Sequence, residues 1–442
     1  MERTQTKGNA KIALLFDAGT FVETGAYIKR TGSAEEYEGV ICGYGAVQGK
    51  LAFAFVQDGD RMKGAFDATG AKKISALYKM AISAGAPIIG VFDSAGALIP
   101  DGSAVLSAYS TLLSDISAAS GVVPQIAVVC GTCSGLCAVA ASMFDVRVVE
   151  SAAKIYLATS EQPICACDFA DILCDDQQEA FAKAGVLISL LPSNNRSCAC
   201  TEPADAPERP TVADTADTKS LVADVCDAST MLTLGAQKKD GMLTSLASIG
   251  GVTCGIVATD RAQNGGKLTK NGARRAAQLV TLCDALGLPV LTLVDSEGID
   301  PTCSPCSAKA YAALAGAYAN AKCPKVTVVT GNAYGAAFSL LGSRAGGADL
   351  VLALPEAAIS PMSPTAAVAF MYNDQITQDK SRAEAEAEYR ATKASAVAAA
   401  EKGDIDDIIP AEELRARICA ALYMLSTKAE GTPGRRHANL PL

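Results

Sequence analysis

The chain has 442 residues, half of them apolar and 19% charged, and a net charge of −9. That composition suits two globular domains with their own cores and excludes a disordered chain. The acidic balance, with no Lys/Arg cluster, sets nucleic acid aside as a partner, and the polar start Met1–Lys7 carries no secretion pattern, so a cytoplasmic location is expected.

Residues 9–57 read as β-rich, with Leu14–Glu23 first, then Val40–Gly45 and Leu51–Val56 around a Gln48-Gly49-Lys50 hairpin turn. A helical pattern led by Gly70-Ala71-Lys72-Lys73 runs into a buried strand, Pro87–Asp93, which ends Asp93-Ser94-Ala95-Gly96. Gly121–Glu150 follows as strand, turn and packed helix. Its window Val122–Met143 is apolar enough to raise a membrane question, but Pro124-Gln125, Gly131 and Gly135 break it. Cys198–Ser220, rich in Ala, Asp, Thr and Pro, is expected to be an exposed connector.

Beyond the connector the order of elements repeats. Asp227–Met231, Leu243–Ile249 and Val252–Ala258 open the second half. Gly272-Ala273-Arg274-Arg275 leads a helix into Pro289–Asp295, which ends Asp295-Ser296-Glu297-Gly298. Cys323–Gly331 answers Val123–Gly131, and Gly335 answers Gly135. The copies lie about 200 residues apart, too far for a solenoid repeat. A duplicated α/β domain is expected, with units at 1–205 and 206–442. Ser381–Lys402 reads as one solvated helix stopped by Gly403, and a last amphipathic helix runs through Leu425.

The 16 cysteines are expected to be reduced thiols; the close pairs Cys165/Cys167, Cys198/Cys200 and Cys303/Cys306 do not sit at zinc-ribbon spacing, so no metal is expected. The only histidine is His437, which argues against Ser-His or Cys-His catalysis. No phosphate-binding loop is present. What remains are strand-to-helix turns with small residues, whose backbone N–H groups can hold a developing oxyanion or simply allow close packing.

Several stretches then carry a resemblance. LLFDAGTFVE resembles LxDxGSFxE, VFDSAGALIPDG resembles NDSGGARIQEG, and VPQIAVVCGTCSGLCA resembles IPQIxxxxGxCAGGxA. LLPSNNR, CPKVTVVTGNAYGAAFSLLGS, GDIDDIIPAEELRARICAALYML and the terminal RRHANLPL continue the match in the same order. Together they resemble the carboxyltransferase subunit of biotin-dependent acyl-CoA carboxylases and decarboxylases. The resemblance implies an α/β fold of two tandem crotonase (ClpP)-like ββα-superhelix domains, the first on the acyl-CoA side and the second on the biotin side.

It also implies a mechanism. Carboxybiotin on a separate carrier protein releases CO₂, and an acyl-CoA enolate captures it; decarboxylases run the steps backwards. Two backbone oxyanion holes would hold the intermediates. By motif, these are the N–H groups of Ala95 and Gly96 for the thioester and of Ala336 and Ala337 for biotin. Ala97, Leu98, Gly131, Cys133, Ser134, Gly135, Gly298, Tyr334, Gly335, Phe338 and Ser339 would line the substrate and biotin pockets. The implied partners are acyl-CoA, a biotin carboxyl carrier protein, a biotin carboxylase or membrane decarboxylase subunit, and further copies of the chain in a dimer-based oligomer, up to a hexamer. Ala95 and Ala336 stand where the family has glycine, and Leu98 where it has arginine. Two alternatives stay open: a non-catalytic subunit that assembles or binds CoA, and another crotonase-type enzyme using Glu297. The direction and the acyl group (acetyl, propionyl, methylmalonyl or glutaconyl) are open as well.

Overall fold

The computed structural model describes residues 6–30, 38–158, 162–200, 203, 205–302, 307–377 and 380–429. The chain divides into two compact units, Met1–Ala199 with Gly235–Gln237 and Cys200–Leu234 with Lys238–Leu442, so the divide falls ahead of the sequence-based boundary at 205/206.

The first unit begins with helix α1 (Lys7–Leu15) and strands β1 (Val22–Thr24), β2 (Val40–Val47) and β3 (Lys50–Gln57). Next come α2 (Ala68–Ala84), β4 (Ile88–Ser94), α3 (Ser103–Ala119), β5 (Gln125–Ser134) and α4 (Leu136–Ser142). Strands β6 (Val146–Glu150) and β7 (Lys154–Tyr156), α5 (Ala166–Phe169), β8 (Ile172–Cys174) and α6 (Gln177–Leu190) complete it. The sheet order is β1-β2-β3-β4-β5-β6-β8, with β7 added to the end of β5. Strands β1 to β3 pair antiparallel and β3 onward in parallel, so α2 and α3 serve as the crossovers that parallel neighbours need.

The second unit repeats this order. It runs α7 (Thr218–Val225), β9 (Leu232–Leu234), β10 (Met242–Ile249), β11 (Val252–Thr259), α8 (Lys270–Leu286), β12 (Val290–Ser296) and α9 (Ser307–Asn320). Then follow β13 (Lys325–Tyr334), α10 (Ala336–Leu340), β14 (Leu350–Ala353), β15 (Ala358–Ser360), α11 (Pro364–Met371), α12 (Arg382–Tyr389), α13 (Ala396–Ala400), β16 (Asp407–Ile408) and α14 (Leu414–Met424). Its sheet is β9-β10-β11-β12-β13-β14-β16, with β15 on β13.

Local chemistry explains the shared elements. The two-residue turn Gln48-Gly49 is left-handed at both positions, as a tight hairpin requires, and Gly250-Gly251 does the same in the copy. The Gly-Ala-Lys-Lys and Gly-Ala-Arg-Arg motifs are helix entries. Asp67 caps α2 by accepting the Gly70 N–H at 2.7 Å, and Thr269 caps α8 by accepting the Gly272 N–H at 3.1 Å. The Ser-Asn-Asn motif ties helix ends together: Asn194 Nδ2 donates to Gly85 O and Asn195 Nδ2 to Gly121 O, both at 2.8 Å.

Four expectations are corrected. Residues 7–15 form a helix, not a strand, started by the Thr6 side chain accepting the Asn9 N–H. Ser381–Lys402 is not one helix, because a π-helical turn at Arg390–Ala394 and the Ser395 cap divide it, and Ala394, Ala396, Ala398 and Ala399 are buried. The connector is exposed in part, but Arg209 pairs with Asp224 at 2.7 Å and Thr211 is buried, so it is fastened to the second unit. Cys165 and Cys167 are joined as a disulfide, whereas nine described cysteines are buried thiols. Cys303, Cys306, His437 and the Arg435–Leu442 motif lie outside the described residues. Among the described residues no helix is long and apolar enough to cross a membrane.

The arginine of the Asp-Asp-Ile-Ile…Leu-Arg motif proves structural. Arg415 is fully buried and donates to Asp227 at 2.6 Å and to the carbonyls of Ala206, Asp205 and Val225. Burial alone would raise the Asp227 carboxyl, but Arg415 and the N–H groups of Gly250 and Gly251 hold it below its ordinary value. Removing one partner of such a pair leaves a buried charge uncompensated. Arg415→Ala is therefore expected to lower stability by about 3–5 kcal/mol, read as a reduced denaturant midpoint of the second unit.

Candidate active site

In each unit two parallel strands, a carboxylate and a glycine turn build the same corner. Asp93 is the penultimate residue of β4, whose register with β5 shifts between Phe92 and Ser94, so Ser94 faces Cys133. The extra length of β5 is held by Asp93 Oδ1, which accepts the Thr132 N–H at 3.2 Å. Gly131 makes room for that carboxylate, since a Cβ there would stand 2.4 Å from Asp93 Oδ1. In the copy the shift falls between Val294 and Ser296, and Asp295 Oδ1 accepts the Asn332 N–H at 2.8 Å. A Cβ on Gly331 would lie 2.4 Å from Asp295 Cγ. Each carboxylate has its cation: Lys11 Nζ at 2.6 Å from Asp93, from a helix the sequence pattern did not reveal, and Arg261 at 3.2 Å from Asp295.

The strands then turn into short helices. The Gly135 N–H donates to Tyr156 O at 2.7 Å and the Gly335 N–H to Ser360 O at 2.9 Å, which fixes both turns. Leu136 and Ala336 are the first residues of α4 and α10. First-turn N–H groups have no partner inside a helix. Among the described residues no acceptor takes the N–H of Leu136, Cys137, Ala336 or Ala337.

The turn after β4 behaves differently from expectation. The Ala95 N–H donates to Lys63 O at 2.9 Å, and the Gly96 N–H to Ser94 Oγ at 3.1 Å. The copy does the same, with Glu297 N–H to Gly265 O at 3.1 Å and Gly298 N–H to Ser296 Oγ at 3.2 Å. Ala95 and Gly96 thus correspond to Glu297 and Gly298, not to Ala336 and Ala337, and their N–H groups are already engaged. The neighbouring Ala97 N–H has no acceptor among the described residues, because the bridge to Phe66 uses the Gly96 carbonyl and the Leu98 N–H. Comparing the two copies residue by residue could have located Leu136, which aligns with Ala336; the hydrogen bonding that excludes Ala95 and Gly96 has no sequence signal.

A cavity of about 430 Å³ opens at the first corner, lined by Ala95, Gly96, Ala97, Ser134, Gly135 and Leu136, with Leu106, Tyr109, Tyr156 and Ala158 opposite. Leu98, Gly131 and Cys133 do not line it: Leu98 and Cys133 point into the core and Gly131 seats Asp93. Burial pushes up the Tyr109 hydroxyl and the Cys137 thiol, which touch at 3.1 Å, so both stay protonated. The second cavity, about 740 Å³, is lined by Gly335, Phe338 and Ser339, with Ser360, Pro361, Arg344, Lys393 and Lys402 around them. Tyr334 lies buried behind it, its hydroxyl 3.3 Å from Arg390 and 3.1 Å from Asn332 Oδ1. Ala337 is fully buried, and Gly298 is at the neighbouring turn. Glu297 is exposed and lies 3.5 Å from Lys267, the geometry of a surface ion pair.

This paired-corner architecture is that of a carboxyltransferase. The carboxyl transferase domain family matches residues 7–162 and 168–440, and the chain belongs to that family. It is 30% identical to the propionyl-CoA carboxylase beta chain of Saccharopolyspora erythraea, over all of this chain and 93% of that one. It is also 30% identical to the methylmalonyl-CoA decarboxylase subunit alpha of Propionigenium modestum, over 98% of this chain and 92% of the relative. Among solved structures, the transcarboxylase 12S hexamer with methylmalonyl-coenzyme A and methylmalonic acid bound superposes with a TM-score of 0.93 at 27% identity, covering 99% of this chain and 92% of that one.

Gly331→Ala isolates the corner from the cavity, because Gly331 touches Asp295 and lines neither cavity. Forcing a methyl into that contact is expected to cost about 1–3 kcal/mol of stability, checked by chemical denaturation.

Proposed function

We propose that the chain transfers a carboxyl group between carrier-bound biotin and a short acyl-CoA, with the acyl-CoA thioester in the first cavity and the biotin ring in the second. The observation that carries this reading is the wall of the first cavity. Among the described residues it offers backbone N–H groups and two tyrosines, but no carboxylate, lysine or histidine to move a proton. Such a wall can stabilise an oxyanion but cannot itself enolise a thioester. Carrier-bound carboxybiotin supplies the CO₂ and, once that is released, the base.

The chain's own part is then electrostatic. The thioester oxygen is assigned to the N–H groups of Ala97 and Leu136, which replace Ala95 and Gly96 in that role. The biotin oxygen is assigned to those of Ala336 and Ala337. Both cavities fall within the roughly 300–1,000 Å³ of ordinary small-molecule sites, and in the second the cations Lys393, Lys402 and Arg344 outnumber the one lining carboxylate, Asp404, which favours a carboxylated ligand there. Relatives that are carboxylase beta chains and decarboxylase alpha subunits support a chain that works with a biotin carrier and with either a biotin carboxylase or a membrane decarboxylase subunit. The 12S hexamer supports a homo-oligomer. A cytoplasmic site of action is consistent with these partners.

Malonyl-, methylmalonyl- and glutaconyl-CoA, each with and without free biotin, test the reading, with CoA products followed by mass spectrometry. Biotin-stimulated loss of CO₂ from one of them is expected; turnover indifferent to biotin, or none from any, would overturn it. Proline tests the donors directly, because at the first position of a helix it removes an N–H without breaking the helix. Leu136→Pro and Ala336→Pro are each expected to lower kcat by about 10²–10³. Leu136→Ala, which keeps the N–H, is expected to fall far less.

A further inference from the structure

Outside the two corners, the most unusual chemistry lies at Cys165 and Cys167. They are joined by a disulfide with Cα atoms 5.3 Å apart. A bridge closing so short a loop removes little freedom from the unfolded chain, so stabilisation does not explain it. The two sulfurs also differ from most other cysteines of the chain. Cys165 is exposed and Cys167 half-buried, whereas burial pushes the thiols of Cys42, Cys130, Cys174, Cys226 and Cys323 up to about 12 and keeps them inert.

The pair is connected to the first cavity. Ile164, next to Cys165, bridges Ile155 through an N–H to O bond of 2.7 Å. The residue after Ile155 is Tyr156, which lines the cavity and whose carbonyl accepts the Gly135 N–H that fixes the turn into α4. On the other side, Gln237 Nε2 donates to the carbonyls of Cys167 and Ala170, both at 3.1 Å.

We propose that Cys165 and Cys167 form a reversible redox modification site that adjusts the first cavity. In the oxidising direction a low-molecular-weight disulfide accepts two electrons from the two thiols. One thiolate attacks it and expels a small thiol; the second thiolate attacks the mixed disulfide and expels the other, leaving the Cys165–Cys167 bond and two small thiols. The effect on the cavity rests on its reading as the acyl-CoA site, but formation of the bond does not.

The test equilibrates the full chain in glutathione buffers of graded ratio, quenches with acid, alkylates, and follows the peptide holding both cysteines by mass spectrometry. Both alkylations are expected to disappear together as the oxidised share rises, and to return on reduction. Retention of both at every ratio would overturn the proposal. So would zinc that survives dialysis and is lost in C165S/C167S, since Cys165, Cys167 and Asp168 also hold their ligand atoms within 4.8 Å of one another. Calorimetry with methylmalonyl-CoA then reads the coupling. A several-fold difference in Kd between oxidised and reduced protein, absent in C165S/C167S, is expected. Equal binding by both states would overturn the coupling, and no binding by either state would count against the acyl-CoA reading itself.

Discussion

A carboxylate at a strand end, half-buried at Asp93 and buried at Asp295, is the constraint from which both corners follow. Parallel neighbours normally advance in step, yet β5 and β13 carry extra residues where β4 and β12 have none. The bulged backbone needs an acceptor for its N–H group, and Asp93 and Asp295 provide it. A charged acceptor in a buried place needs a cation, supplied as Lys11 in one copy and Arg261 in the other. It also needs space beside it, hence Gly131 and Gly331. Once the bulge is held, the following residues must leave the sheet at Gly135 and Gly335; Leu136, the first residue of α4, lines the first cavity, and Gly335, just ahead of α10, lines the second.

The scaffold is duplicated, but the walls are not. Tyrosines and apolar side chains face the first corner, while Lys393, Lys402 and Arg344 surround the second. The cation of the first corner arrives from a helix about 80 residues upstream of its aspartate, whereas Arg261 follows its own β11 directly. Two copies can therefore keep one backbone geometry while their ligands diverge, because the carboxylate-to-backbone contact makes no demand on the side chains of the cavity. The π-helical turn adds to the second wall: Arg390 fastens it to Tyr334 and to the carbonyl of Glu356, which places Lys393 at the cavity edge.

Much of this was legible in the sequence. The duplicated strand, turn and helix, the hairpin turns and the helix entries at Gly70 and Gly272 all rest on local patterns, and they appear where the patterns place them. The helix at 7–15 has no such pattern, because Ile12, Leu14 and Leu15 give too short an apolar run to set a period, while Thr6 and Lys11 act through contacts made only in the fold. The interruption after Arg390 was invisible for a related reason: alanine favours helix everywhere, so the composition hides which alanines are buried. The acceptors of the Ala95 and Gly96 N–H groups are hidden in the same way, since they are Lys63 and Ser94 and neither contact leaves a trace in composition or spacing.

The alanines that replace the family's glycines fit this geometry. Gly96 and Gly298 have φ of +111° and +112°, and Gly135 and Gly335 have +62° and +57°, conformations that a side chain would strain. None of Ala95, Ala336 or Ala337 is among the residues with positive φ. Glycine stands where the backbone has positive φ, and alanine stands where it does not. A methyl group at Ala336 narrows the space around the N–H without moving it, because Gly335 and its bond to Ser360 set the direction of the turn. Alanine in place of glycine at these positions therefore alters the space at the corner and leaves the course of the backbone unchanged.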